Sequence, residues 1–304
     1  MKKDNLKLKH YRGRFAPSPS GELHFGSLLA AMASYADARS QDGQWLLRID
    51  DIDQARVVKD SDKHIIKSLE QCGFQWDEKI SYQSDSIENY NEALEQLIKI
   101  DLSYPCSCSR AQIKMLSENG VYPGTCRDRG IEHTIDDSVE NSAIRIKVPS
   151  ETIIFKDKIQ HLCRQNLAQE VGDFIIFRRD KVFSYQLSVV VDDYLSQITH
   201  IVRGFDLIDS TARQIYIQQQ LGYPLPLYAH IPLAVTDKQI KLSKLSQAKK
   251  IDSEIPTLVL AAQFLGQEVG MDKDYDNIAD FWQHLCQIWD IDKVPKKEKI
   301  ETLN

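Results

Sequence analysis

Near the start of the chain, Pro17, Pro19 and Gly21 end a strand-like run from Tyr11 to Ala16. From Leu28 to Arg39 apolar and small residues then recur at helical spacing. His24, Phe25, Gly26 and Ser27 therefore fall where a strand has turned into the start of a helix, with Ser18 or Ser20 available as its cap. Free N–H groups and the positive end of a helix dipole suit that place to an anion such as phosphate. Gly26 lets a flat ring approach the backbone, and His24 adds a donor beside the phosphates. An ordinary strand–loop–helix with a surface histidine would carry the same four residues. The chain supplies a counterpart far downstream, Lys241-Leu242-Ser243-Lys244, after the apolar run Ile231 to Val235. A lysine on a mobile loop can follow charge as it develops on a reacting triphosphate. A Lys-rich run alone is a solvated surface. The two motifs in this order, each after a strand-like run, point to nucleotide chemistry.

Two further groups have chemical potential. Gln44 to Ile49 reads as a buried strand ending in Arg48-Ile49-Asp50-Asp51-Ile52-Asp53, so carboxylates stand at a strand's carboxyl end, where parallel sheets bind ligands. A loop and helix cap would use some of the same residues. Cys106, Cys108 and Cys126 offer three soft ligands within a short stretch, which leaves a fourth place on a tetrahedral metal such as zinc. On chemistry alone Cys163 and His133 are candidates for that place, and three buried free thiols are the plain alternative.

The elements that must position these groups are legible in outline. Strand, helix, strand at the start is the opening of a parallel α/β sheet. Asp60 to Phe74 and Ser86 to Ile100 have amphipathic helical spacing. Ala143 to Val148 and Thr152 to Phe155 read as short strands, and the parallel pattern is expected to resume at Asp173. A helix follows over Ser188 to Leu195, then a β-branched strand over Ile198 to Val202 that leads to Arg203-Gly204. Thr257 to Gln267 and Asp280 to Trp289 are helical in spacing. The expected fold is α/β, a Rossmann-like parallel sheet split by a zinc-bearing α+β insertion, with a short helical C-terminal tail. The boundaries are 1–100 and 171–250 for the two halves of the sheet, 101–170 for the insertion and 251–304 for the tail.

Composition sets the limits. At 304 residues there is room for a sizeable core, and 27% charged with 42% hydrophobic content is that of a soluble globular protein. The chain has no apolar run long enough to span a membrane and opens without a secretory h-region, so a cytoplasmic location is expected. Six cysteines, clustered as they are, suit a metal better than a disulfide scaffold. The net charge of −6 argues against a diffuse electrostatic nucleic-acid binder and leaves room for a local basic patch, such as Arg110, Lys114, Arg127 and Arg129 beside the cysteines. No protein partner is called for.

Phe15-Ala16-Pro17-Ser18-Pro19-Ser20-Gly21 with His24-Phe25-Gly26-Ser27, and later Lys241-Leu242-Ser243-Lys244, resembles the paired signature motifs of class I aminoacyl-tRNA synthetases, in the form of the glutamyl branch. The HFGS and KLSK variants resemble a short subgroup of that branch without an anticodon-binding domain. The resemblance runs from about Arg12 to Lys250. It implies activation of L-glutamate with ATP and Mg²⁺, without tRNA, followed by transfer to queuosine in the anticodon of tRNA(Asp). It implies glutamate contacts from Arg14, Phe15, Ala16, Pro17, Ser18, Asp50, Tyr185 and Arg203. ATP would meet His24, Gly26, Ser27, Lys241 and Lys244, with His24 and Lys244 catalytic. The family has Glu where this chain has Asp50, a carboxylate one methylene shorter. Arg14 and Arg203 are two guanidinium forks for the two carboxylates of glutamate, in either order. The family's metal ligands are Cys-x-Cys and Tyr-x-x-x-Cys, which correspond here to Cys106, Cys108, Tyr122 and Cys126 around a structural zinc. Two rivals stay open: a truncated enzyme that charges a tRNA acceptor end, and a synthetase-like protein that binds RNA without catalysis.

Overall fold

The computed structural model describes residues 10–117, 119–129, 142–235 and 254–301. The chain runs through β1 (Arg12–Phe15), α1 (Phe25–Arg39), β2 (Gln44–Ile49), α2 (Ser61–Gln71), β3 (Ser81–Tyr82) and α3 (Ile87–Lys99). Then come β4 (Ser103–Cys106), α4 (Arg110–Leu116), β5 (Ala143–Ile146), β6 (Thr152–Asp157), β7 (His161–Asn166), α5 (Leu167–Glu170) and β8 (Phe174–Phe177). These are followed by α6 (Tyr185–Leu195), β9 (His200–Gly204), α7 (Ile208–Gln220), β10 (Leu227–Ile231) and β11 (Leu233–Val235), and by α8 (Ile255–Phe264), α9 (Ile278–Ile288) and β12 (Lys299–Glu301).

Parallel pairing dominates at both ends of this order. β2 lies parallel between β1 and β3, and β10 pairs parallel with β9 and, at Tyr228 and Asp157, with β6. The two sets meet at Thr199, whose N–H donates to the Arg12 carbonyl at 2.9 Å and whose Oγ1 accepts from the Arg12 N–H at 2.8 Å. α1 is buried almost all round, from Leu28 to Ala38, because it lies between the sheet and the helices α8 and α9. Phe281, Trp282 and Trp289 pack into that same core, with Trp45, Tyr35 and Phe74. A second core gathers Tyr90, Leu94, Leu97, Ile144, Phe174, Phe177 and Leu187.

Three expectations need correction. Phe174–Phe177 does not resume the parallel sheet. It pairs antiparallel with β5, which also pairs antiparallel with β4, because its side chains belong to the second core; parallel pairing resumes at β9. The tail is not wholly helical: β12 lies parallel to β11 and gives its backbone groups partners. The cap of α1 is His24, not Ser18 or Ser20, which lie too far ahead of Phe25. Among the described residues no helix is long and apolar enough to cross a membrane.

Candidate active site and metal cluster

The carboxyl ends of β1, β2 and β9 and the first turn of α1 open on one cavity of about 710 Å³. Ligands in parallel α/β folds bind at this end of the strands. Arg14, Phe15, Ala16, Pro17, Ser18, His24, Gly26, Ser27, Asp50, Tyr185 and Arg203 all line it. The two motif lysines, Lys241 and Lys244, lie outside the described residues.

His24 has an extended backbone, and its Nδ1 accepts from the Ser27 N–H at 3.1 Å. An accepting Nδ1 puts the proton on Nε2, which lies 3.1 Å from Ser27 Oγ. His24 thus satisfies one helix N–H and turns a donor towards its neighbour, leaving other N–H groups of the first turn for an anion. A side chain at Gly26 would stand 3.3 Å from the His24 ring, tighter than an ordinary contact. The preceding loop is tied to β2 by the Asp50 N–H, which donates to the Pro17 carbonyl at 2.9 Å.

Beneath the loop lies a buried charge network. Arg14 meets Asp193 side-on, Nε to Oδ1 at 3.1 Å and Nη2 to Oδ2 at 3.2 Å. Arg48 donates from Nε to Asp50 Oδ1 at 2.7 Å and from Nη1 to Asp193 Oδ1 at 2.8 Å, and lies 3.6 Å from Asp192. Asp192 also accepts from Gln83 and Tyr90. Burial raises the carboxyl of Asp50 to about 6, against the pull of Arg48. Burial would also raise Asp193, but Arg14 and Arg48 outweigh it and hold that carboxyl below its usual range. Arg48 Nη2 is buried without a hydrogen-bond partner among the described residues, in a side chain that lines the cavity.

Arg203 is 4% exposed, so its guanidinium depends on partners inside the protein. It donates from Nε to His230 Nε2 at 2.9 Å, from Nη1 to Gln214 at 2.8 Å, and from Nη2 to Thr211 at 2.8 Å and the Leu207 carbonyl at 3.3 Å. The two arginines are therefore not equivalent forks. Arg14 keeps its Nη1/Nη2 edge, whereas Arg203 keeps a single Nη1–H among the described residues. Tyr185, 36% exposed at the start of α6, stands at the rim rather than in the core.

Arg48, Asp192, Asp193, His230 and Asp157 had no functional role in the sequence analysis. A signal was present. Arg48 interrupts the apolar run Trp45 to Ile49, the aspartate pair follows Val189-Val190-Val191, and His230 precedes Ile231, and charged or polar residues in buried runs need partners.

The cysteine cluster is separate. The sulfurs of Cys106, Cys108 and Cys126 lie within 4.8 Å of one another. Tyr122 Oη is 3.4 Å from Cys106 Sγ and 3.9 Å from Cys108 Sγ, and accepts from the Cys126 N–H at 2.9 Å. Three sulfurs and a phenol oxygen around one point fit a tetrahedral metal, whose Zn–S bonds of about 2.3 Å set sulfurs somewhat under 4 Å apart. Tyr122 is held there by a bridge to Gly172, where any side chain would collide with the Tyr122 backbone. Burial works to raise the Cys126 thiol, but hydrogen bonding with Tyr122, Ser107 and the other cysteines brings it down to about 7, towards the thiolate a metal needs. Cys163 lies on β7, outside the cluster, and His133 is outside the described residues.

Residues 10–256 match the family model of tRNA synthetases class I (E and Q), catalytic domain. The chain is 44% identical to the glutamyl-Q tRNA(Asp) synthetase of Pseudomonas fluorescens, over 94% of each chain. It is 41% identical to the protein of that name from Acinetobacter baylyi, over 95% of this chain and 96% of the other. The crystal structure of a glutamate-tRNA synthetase from Elizabethkingia anophelis superposes with a TM-score of 0.78 at 22% identity, covering 97% of this chain and 68% of that one.

Proposed function

This chain belongs to the class I tRNA synthetases (E and Q) and, within them, to the glutamyl-Q tRNA(Asp) synthetases, and we propose that it activates L-glutamate with ATP and passes it to queuosine in tRNA(Asp). In the first step an oxygen of the glutamate α-carboxylate attacks the α-phosphorus of ATP. The bond from that phosphorus to the bridging oxygen breaks, and pyrophosphate leaves with the electron pair. In the second step a hydroxyl of the queuosine cyclopentene diol attacks the acyl carbon and gives its proton to the departing phosphate, and AMP leaves with the electron pair of the acyl–oxygen bond. The first step runs without tRNA.

The observation that carries this reading is the convergence of three chemically distinct groups on one cavity. Arg14 has an open edge for a carboxylate, Asp50 a buried carboxylate for the amino group, and the first turn of α1 an anion site beside His24. Catalysis is positional and electrostatic, since the carboxylate must be held in line with the α-phosphate. Lys241 and Lys244 carry the charge that follows the leaving pyrophosphate, and Mg²⁺ accompanies ATP. Zinc is the metal of the cysteine cluster, held by Cys106, Cys108, Tyr122 and Cys126; a closed donor set has no open position for chemistry, so its role is structural.

The test uses labelled glutamate, ATP and the intact protein. Pyrophosphate exchange is measured without RNA, and tRNA(Asp) lacking its terminal 3′ diol but bearing queuosine is then added. Exchange in the first step and label on the tRNA in the second are expected. Exchange only with RNA, or transfer lost with the terminal diol, would move the reading to acceptor-end charging.

A further inference from the structure

Arg203 does not reach the cavity alone. Its Nε–H is donated to His230 Nε2, and His230 Nδ1 lies 2.6 Å from Asp157 Oδ2. His230 and Asp157 are fully buried, and neither touches the cavity. We propose that Asp157 and His230 are positioning residues for Arg203, fixing one imidazole tautomer so that the guanidinium presents its remaining Nη1–H to the glutamate. The inference rests on the reading of Arg203 as a glutamate contact.

The hydrogen bonds permit one proton arrangement. Arg203 has only donors, so Nε2 of His230 must offer a lone pair, and the ring proton sits on Nδ1, donated to Asp157. Asp157 is fixed in turn. Its Oδ1 accepts from the N–H groups of Ile159 at 3.0 Å, Gln160 at 2.8 Å and His230 at 3.2 Å. Oδ1 is thereby committed to the backbone and Oδ2 to the imidazole. Burial and the facing Arg203 keep the ring uncharged, with its pKa down at about 4, although Asp157 pulls the other way. The chain of bonds links the end of β6 through β10 to β9, so an element beside the parallel sheet sets the orientation of a side chain in the site.

This arrangement makes Asp157→Asn informative without changing volume. The three backbone N–H groups hold the amide oxygen at the Oδ1 position, so the NH₂ must face His230. Nδ1 then has to accept and the ring proton moves to Nε2; the Thr211 hydroxyl at 3.2 Å can take that proton, but the Arg203 Nε–H loses its acceptor and faces a donor. The experiment measures ¹⁵N shifts of the histidine rings and the KM values for glutamate and ATP in pyrophosphate exchange. The variants are Asp157→Asn, His230→Asn, His230→Gln and Arg203→Ala.

The wild-type protein is expected to show a buried neutral ring protonated on Nδ1, and Asp157→Asn one protonated on Nε2. Asp157→Asn should raise the glutamate KM about tenfold or more with the ATP KM unchanged, the size of a lost hydrogen bond to a charged group. His230→Gln, whose side chain reaches the Nε2 position with an acceptor, should lie nearer the wild type than His230→Asn, which reaches only Nδ1. An Nε2–H ring in the wild type overturns the proposal without any variant. So does an unchanged glutamate KM in Asp157→Asn when Arg203→Ala raises it, or a common rise in both KM values. If Arg203→Ala itself leaves the glutamate KM unchanged, the reading of Arg203 fails and the inference with it.

Discussion

Replacing Asp50 by Asn should remove a loss of stability that the wild type suffers as pH rises, while weakening the hold on glutamate. Asp50 is 8% exposed at the end of β2, and burial lifts its carboxyl from 3.8 to about 6 in spite of Arg48. Between those two values the folded protein holds a proton that the unfolded chain has lost. The contribution to stability is therefore full below the unfolded value and is lost as pH rises through about 6. At 1.36 kcal/mol per unit the whole shift costs about 3 kcal/mol, of which about 2 kcal/mol falls between pH 4.5 and pH 8. Asparagine has no proton to lose. Whatever Asp50→Asn does to packing, its stability relative to the wild type should improve by about 2 kcal/mol from pH 4.5 to pH 8. Urea denaturation at the two pH values, with the m-values compared, reads this difference directly. Activity should move the other way. Only the ionised carboxylate pairs with the glutamate ammonium, so exchange in the wild type should fall on the acid side of about pH 6, and the variant should have a raised glutamate KM throughout. A stability difference that does not change with pH would show that Asp50 is not the group held neutral by burial.

Elemental analysis should give about one zinc per chain, and Cys126→Ser should lose that metal and lower Tm. Unchanged metal content in the variant would remove Cys126 from the donor set. Lys244→Ala should lower kcat for exchange about a hundredfold or more with little change in the glutamate KM, as befits a group that acts on developing charge. A rise confined to KM would contradict that role. Trp289→Phe removes the donor that the tail gives to buried Asp37, Nε1 to Oδ1 at 3.1 Å, and should cost about 1–3 kcal/mol in urea denaturation with the KM values unchanged. A loss of activity without a loss of stability would place the tail in the site's chemistry.

The parallel strands and the cavity lining were legible because each rests on local sequence. Pro17, Pro19 and Gly21 mark the turn, and the residues that line the cavity follow in short runs around it or at strand ends. The partners of those residues were not legible. Asp193 for Arg14 and Asp157 for His230 are brought together by packing across long stretches of chain, and a single sequence shows no pairing of that kind. The strand at Phe174–Phe177 was misplaced for a related reason: a short apolar run is the same in a parallel core strand and in an antiparallel one, and only its neighbours decide. His24 as a helix cap was missed because serine is the commoner cap, while an imidazole Nδ1 at the same place accepts the same N–H.

The side-on pairing of Arg14 with Asp193 joins residues 179 apart in the chain. At about 5–20 residues per second of synthesis, that separation is roughly 10–35 s on the ribosome. During this interval β1 and β2 already carry Arg14 and Arg48, with Asp50 beside Arg48, while Asp193, the partner of Arg14, and Asp192 have yet to be made. Burying the guanidinium of Arg14 without its carboxylate is too costly for the first strands to close over it. The floor of the cavity therefore cannot close from its first two strands alone: Arg14 has its carboxylate only once α6 has been made.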